Sequence, residues 1–430
     1  MRTSRIARVA CAVAAPLLIS GAVIAQTGAA SAATSGGNSA QHRVLYVAPN
    51  AKAGASDQSC RSAKYRTIQS AVNAAPAGGT VVVCPGTYHE QVVIAKPLNL
   101  QGQRATIDQS GVKPGFTVTL PGLGKQLIYA GVIIVSSHVN LTGFTVRDAV
   151  GEGVLAAGLG REISGVTITH NAVVHNDLGS IPPGSKYFEC VATAGVPGDC
   201  GEGVHFTGVA FSAIENNFIN GNSGGTLISD DTGPTHNNLI AGNVVTDNKS
   251  DCGITVPGHN PAALNAKGVR QPTVAGVYDN VIRGNVVTGN GVIGGGGAGV
   301  LFANATAGTA SYDNLVEGNY ISRNGNSGVT MHAHTIKKGQ FEDLNGNVIV
   351  GNSIGLNNIK GDPLDGPPGP SDNKTTGVLV FSGGTRVLVT VASNHILNNA
   401  IGIWLSKPVK ATGLKTNRFT NVKVPVSANH

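Results

Sequence analysis

Asparagine recurs five residues before another asparagine again and again from residue 171 onward, as in Asn171/Asn176, Asn217/Asn222, Asn243/Asn248, Asn285/Asn290, Asn319/Asn324, Asn352/Asn357 and Asn394/Asn399. After most of these pairs a glycine opens a short apolar run, as in Gly203-Val204-His205-Phe206, Gly253-Ile254-Thr255-Val256, Gly299-Val300-Leu301-Phe302 and Gly377-Val378-Leu379-Val380. The first and third residues after the glycine are almost all large and apolar. The period of two in a strand sends those two inward and the second and fourth outward. Gly131 to Gly153 and Gly203 to Gly225 are 22 residues apart and Gly377 to Gly402 is 25, while longer intervals carry insertions. A repeat of about 22 residues made of short strands is one coil of a parallel β-helix. Asparagines at its bends are expected to hydrogen-bond to one another up the stack.

Composition removes the competing architectures. The 60 glycines show no three-residue period and 20 prolines are too few for collagen, 12% charged residues are too few for a coiled coil, and 41% hydrophobic residues are too many for disorder. At the N-terminus Arg2, Arg5 and Arg8 precede the apolar run from Val9 to Ile24 and then Ala30-Ser31-Ala32, the pattern of a secretory signal peptide spanning 1–32. Cleavage after Ala32 removes three arginines and no acid, taking the formal charge from +7 to +4 over 430 − 32 = 398 residues. So small a charge favours no nucleic-acid partner. No later stretch reaches the length of a membrane span. The expected product is secreted: a flexible 33–43, then one β-helix domain over 44–430 with loop insertions.

Export places the remaining cysteines in an oxidising compartment. Closeness in sequence favours Cys60–Cys84 and Cys190–Cys200, with Cys252 left as a buried free thiol. Near the start, Ile68, Ala71, Val72 and Ala75 share one helical face behind a candidate N-cap, Thr67, which predicts a short helix over the end of the stack.

The run Thr67-Ile68-Gln69-Ser70-Ala71-Val72, then Gly79-Thr80-Val81, then Pro85-Gly86-Thr87-Tyr88-His89-Glu90, with the later Asn/Gly repeats, resembles the right-handed parallel β-helix (pectin lyase-like) superfamily over about residues 44 to 425. The resemblance implies an all-β, single-stranded right-handed parallel β-helix. That superfamily includes polysaccharide lyases, glycoside hydrolases, esterases, uronan epimerases and tailspikes, and none of their catalytic motifs is found in this chain.

A site is therefore argued from register. Six residues after the opening glycines stand Asp231, His259, Ala305 and His334, and four residues after them Ser229, Pro257, Ala303 and His332. Stacked coils would set Asp231 and His259 about 5 Å apart, with His334 two coils further. The expected catalytic set is Asp230, Asp231, His236 and His259: one carboxyl of an adjacent pair protonates a leaving oxygen while the other, or His259, activates water. Glu202, His205, Lys267, Arg270, His332, His334 and Lys337 are expected to contact substrate, the cations neutralising a uronate carboxylate in a lyase or epimerase. No cofactor is expected, calcium being possible but not evident. The expected function is cleavage of an extracellular polysaccharide by a hydrolase, or by a lyase or epimerase. A non-catalytic carbohydrate-binding or cell-surface solenoid is the alternative, and metal delivery through His332 and His334 is a third reading.

Overall fold

The strands pair in parallel from coil to coil, each with its counterpart one turn earlier and one turn later. The computed structural model describes residues 44–428 except 53, 121–123, 178–200, 293–295, 305, 336, 338 and 360–374. Eleven strands stack into one sheet running from Val92–Ile94 through Glu202–Thr207, Gly224–Ser229, Ile254–Thr255 and Val329–Ala333 to Val424–Ala428. A five-stranded sheet follows it around the coil, with Ala210, His236, Tyr278 and Tyr312 in one column. A 21-stranded sheet completes the turn as two columns, joined because Leu98–Asp108 and Val139–Arg147 run unbroken through both. This is the expected right-handed parallel β-helix.

The interior follows the expected parity. Val204, Ile254, Val300, Val329, Val378 and Ile403 form one buried column, and Phe206, Ile228, Val256, Phe302, Met331, Val380 and Leu405 the next. Each such apolar side chain contributes roughly 1.5–3 kcal/mol of burial. Register is held by asparagine ladders. In the first, Asn217 Nδ2 donates to Asn243 Oδ1 at 3.0 Å and to Ile168 O at 2.8 Å, while Asn217 N donates to the same Asn243 Oδ1 at 2.9 Å. The pattern repeats through Asn285, Asn319, Asn352 and Asn394 to Asn417. A second ladder begins at Asn176 and Asn222. A third, through Asn238, Asn280, Asn314 and Asn347, was not anticipated from the sequence. The residue before a ladder asparagine turns the corner in the left-handed region, as at Gly242 (φ 64°) and Asp279 (φ 54°), a conformation that Gly, Asp and Asn adopt most easily. Gly-Asn and Asp-Asn pairs are therefore the written form of the bend.

The helix Ile68–Ala74 caps the stack as expected, with Thr67 Oγ1 accepting from Ser70 N and Ile68, Ala71, Val72 and Ala75 buried. Glu90 accepts from the first helical amides, Ile68 N at 2.7 Å and Gln69 N at 2.9 Å. Gln69 in turn accepts from Val93 N at 2.7 Å and donates to Val93 O at 3.1 Å, pairing the edge strand as another strand would. Cys60 and Cys84 form the expected disulfide. Cys252 is corrected: it is disulfide-bonded rather than free. Cys190 and Cys200 lie outside the described residues, as do the expected signal peptide and residues 33–43. No described helix is long and apolar enough to cross a membrane.

Candidate functional site

Along most of the eleven-stranded sheet the outward residues are buried as well. The reason for the first strands is the Thr117–Leu120/Gly124–Leu127 hairpin, beside which Phe116 and Val118 pack against Ile133 and Leu155. Among these covered outward residues is His205, fully buried where the sequence suggested a surface position.

His205 is the centre of a polar string. Its Nδ1 lies 2.9 Å from Glu152 Oε1 and its Nε2 lies 2.8 Å from Ser229 Oγ. The Ser229 hydroxyl donates to Asp231 Oδ2. Asp231 Oδ1 lies 3.1 Å from His259 Nδ1. Five side chains from successive coils are thus joined, ending at the Asp231–His259 pair that register counting placed about 5 Å apart. With the Ser229 proton directed at Asp231, His205 Nε2 is the donor to Ser229. Glu152 was missed in the sequence. Its signal was the repeated Gly-Glu-Gly-Val at 151–154 and 201–204, which sets Glu152 beside Glu202 on adjacent strands.

The two adjacent aspartates do different things. Asp230 is fully buried and accepts backbone N–H groups from His259 (2.7 Å) and Asn260 (3.0 Å) on one oxygen and from Gly276 (2.7 Å) on the other. It therefore ties its own turn to the insertion of the next coil. Burial pushes Asp230 up to about 6, the charge of Asp231 adding to the effect and the hydrogen bonds from Asn260 and His259 opposing it. Burial also raises Asp231, but His259 through charge and hydrogen bond, His205 through charge, and the Ser229 hydroxyl outweigh it and hold Asp231 at about 2. Asp231 is a carboxylate throughout the physiological range, facing an imidazole that it orients.

The other expected residues lie elsewhere. His236 is on the five-stranded sheet, stacked on Tyr278 at 4.6 Å, with Nε2 2.9 Å from Glu162 Oε2. Tyr278 stacks on Tyr312 at 5.0 Å, and Arg270 lies 3.8 Å over the Tyr312 ring with Nε 2.6 Å from Asp343. His236 and Arg270 thus belong to an aromatic ladder and not to the Asp231–His259 pair. Lys267 and Lys337 are exposed. Glu202 is buried one strand before Gly224, its carboxylate over that glycine. His332 and His334 lie further along the stack, edge to face at 5.1 Å and against Phe381. Burial holds both imidazoles well below their ordinary value, His334 at about 4. Nearby, Glu342 accepts from His334 N and Thr335 N, and burial raises it to about 7. Among the described residues no group of three or more His, Cys, Asp or Glu side chains gathers as metal ligands.

Solved structures share this architecture at low sequence identity. The GH136 lacto-N-biosidase from Eubacterium ramulus superposes with a TM-score of 0.53 at 11% identity, over 90% of this chain and 68% of that one. The A-module of mannuronan C-5 epimerase AlgE4 from Azotobacter vinelandii gives 0.47 at 15% identity over 84% and 92%. Pectate lyase Pel9A gives 0.45 at 15% identity over 86% and 77%. Likeness at this identity speaks for the fold alone. No curated protein matches the chain in sequence. Residues 52–313, more than half of the chain, match the family described as "Protein of unknown function (DUF1565)", and the chain belongs to that family.

Proposed function

We propose that this is an exported enzyme that cleaves or epimerises an extracellular polysaccharide, with His259 and Asp231 as its acid–base centre. The observation that carries the reading is the Asp231–His259 hydrogen bond at the end of the buried string. A carboxylate that holds Nδ1–H fixes the tautomer whose lone pair is on Nε2, the form in which imidazole abstracts a proton or activates water. Asp230 is committed to three backbone donors, so the geometry favours a histidine base over a pair of carboxylates acting on either side of a glycosidic bond. Base chemistry of that kind suits a uronic-acid polymer, in which the proton α to the carboxylate is removed. Stacked coils offer an extended polymer a new side chain about every 4.8 Å, close to a sugar repeat. The signal-like N-terminus and the Cys60–Cys84 disulfide support export.

The test is to incubate the mature protein, beside Asp231→Ala, with neutral and uronic-acid polysaccharides while following reducing ends and unsaturated-uronate absorbance together. Both signals rising, and lost in the variant, support a lyase. Reducing ends alone mean hydrolysis, and a changed uronate epimer ratio with neither signal means epimerisation. No change of any kind across the panel sinks the enzyme reading. A binding-only solenoid would then be favoured by the exposed column Phe218, Val244, Val286 and Tyr320, four successive coils in register on the 21-stranded sheet. Its mark would be retention on a polysaccharide column that Tyr320→Ala weakens.

A further inference from the structure

The string behind the Asp231–His259 pair has a direction. Ser229 donates to Asp231 Oδ2 and His205 Nε2 stands 2.8 Å behind the Ser229 oxygen, with Glu152 2.9 Å behind the other ring nitrogen. His205 Nε2 and the Ser229 hydroxyl both donate toward Asp231, with the Glu152 carboxylate as the acceptor behind the imidazole, and Glu152, His205 and Ser229 are all fully buried, where hydrogen bonds to charge are strongest. A fixed tautomer at His259 requires an ionised, immobile Asp231, and one of its two oxygens is held by this relay.

We infer that Glu152, His205 and Ser229 are positioning residues: they keep Asp231 ionised and in one rotamer, and through it set the proton of His259 on Nδ1. The inference rests on His259 and Asp231 being the acid–base centre, and goes beyond it by assigning three residues that touch no substrate. The charged groups around the string among the described residues include Asp230 beside Asp231, His259 at one end, Glu152 at the other, and the buried Glu202 on the strand next to Glu152.

The deciding experiment needs no substrate. The full protein is labelled with ¹⁵N-histidine and its imidazole tautomers are read by long-range ¹H–¹⁵N correlation at neutral pH, His259 being assigned by its loss in His259→Gln. The expected result is His259 protonated on Nδ1 in the native protein, a mixture of tautomers in Ser229→Ala, and the native pattern restored in Ser229→Thr. Glu152→Gln, which preserves size, guards against loss of the fold and is expected to weaken the preference in the same direction. An Nε2-protonated His259 in the native protein, or a preference unmoved in both Ser229→Ala and Glu152→Gln, overturns the inference. Where turnover is found, Ser229→Ala should lower kcat roughly 10- to 100-fold, the cost of one hydrogen bond to a charged group, with KM little changed. A positive tautomer result without turnover on any polysaccharide would leave the string intact and remove the proposed reaction, so the two failures read differently.

Discussion

Asp231 and His236 stand five residues apart on either side of one turn, yet they belong to regions with opposite physics. Asp231 ends a line of buried hydrogen bonds that crosses successive coils of the eleven-stranded sheet. His236 opens a ladder of parallel rings, with Tyr278 and Tyr312 behind it and Arg270 at its end, held together by stacking and by the Arg270 ion pairs to Asp313 and Asp343. In the first region a proton is shared, oriented and stabilised. In the second the ring faces are used against one another, which makes the ladder a brace for the 260–276 insertion. The same residue type, histidine, takes either role according to what the next coil places beside it.

The sharpest test of this contrast is kinetic. Asp231→Ala and His259→Gln should each reduce turnover about 10²- to 10⁴-fold, the usual worth of a general acid–base group, whereas His236→Ala should leave it within about twofold. Equal losses from all three would merge the two regions into one site. A second test separates the neighbouring aspartates by stability against pH. The folded-state value of Asp230 is about 6 against 3.8 unfolded, so the native protein holds an extra proton between those values. Stability should therefore fall as pH rises from about 4 to 6, by roughly 3 kcal/mol, and this fall should vanish in Asp230→Asn. Asp231, lowered to about 2, acts in the reverse sense, adding stability as pH rises from about 2 to 4. Denaturant midpoints at pH 3, 4, 5, 6 and 7 measure both slopes.

Smaller effects are expected on the ladder. Arg270→Ala removes the Asp343 and Asp313 contacts and the cation over Tyr312, and should cost about 1–2 kcal/mol by chemical denaturation with no loss of turnover. Least of all, Gly242→Ala, at φ 64° with the Asn216 amide oxygen nearest to where its Cβ would lie, should cost about 1 kcal/mol and leave the histidine tautomers untouched.

The coil was readable because each of its demands selects a residue type. Inward columns require Val, Ile or Phe, bends require Asn preceded by a residue that tolerates positive φ, and the strand-opening glycines such as Gly253 have a neighbouring Val287 methyl and Asn290 amide where a Cβ would lie. The proximity of Asp231 and His259 followed from counting along that repeat. What counting could not supply was burial on the outer face, because the segments that cover a sheet are set by insertions that follow no period. So His205 is expected on the outward face, Ser229 is counted in register without a role, and Glu152 goes unnoticed. His236 is drawn into the site by its closeness to Asp231 in sequence and Arg270 by its place in the insertion after the next coil's strand, whereas the turn after Ser229 carries His236 onto the five-stranded sheet and Arg270 packs over Tyr312 of that sheet.

The asparagine ladders also give the molecule a polarity along its axis. In the first ladder each side-chain-to-side-chain bond runs from Nδ2 to the Oδ1 of the later coil, while the other Nδ2 hydrogen goes to a main-chain carbonyl, so the amide-to-amide bonds all point one way along the axis. Such a series must be terminated at its last donor. Asn417 does so by turning its amide onto the carbonyls of Val391, Gly413 and Leu414, the last two at the 3₁₀ turn Leu414–Thr416. Among the described residues Val424–Ala428 is the last strand of its sheet, and any coil stacked on it would find no asparagine donor with which to continue this ladder, so side chains close the series at a place where backbone pairing alone could go on.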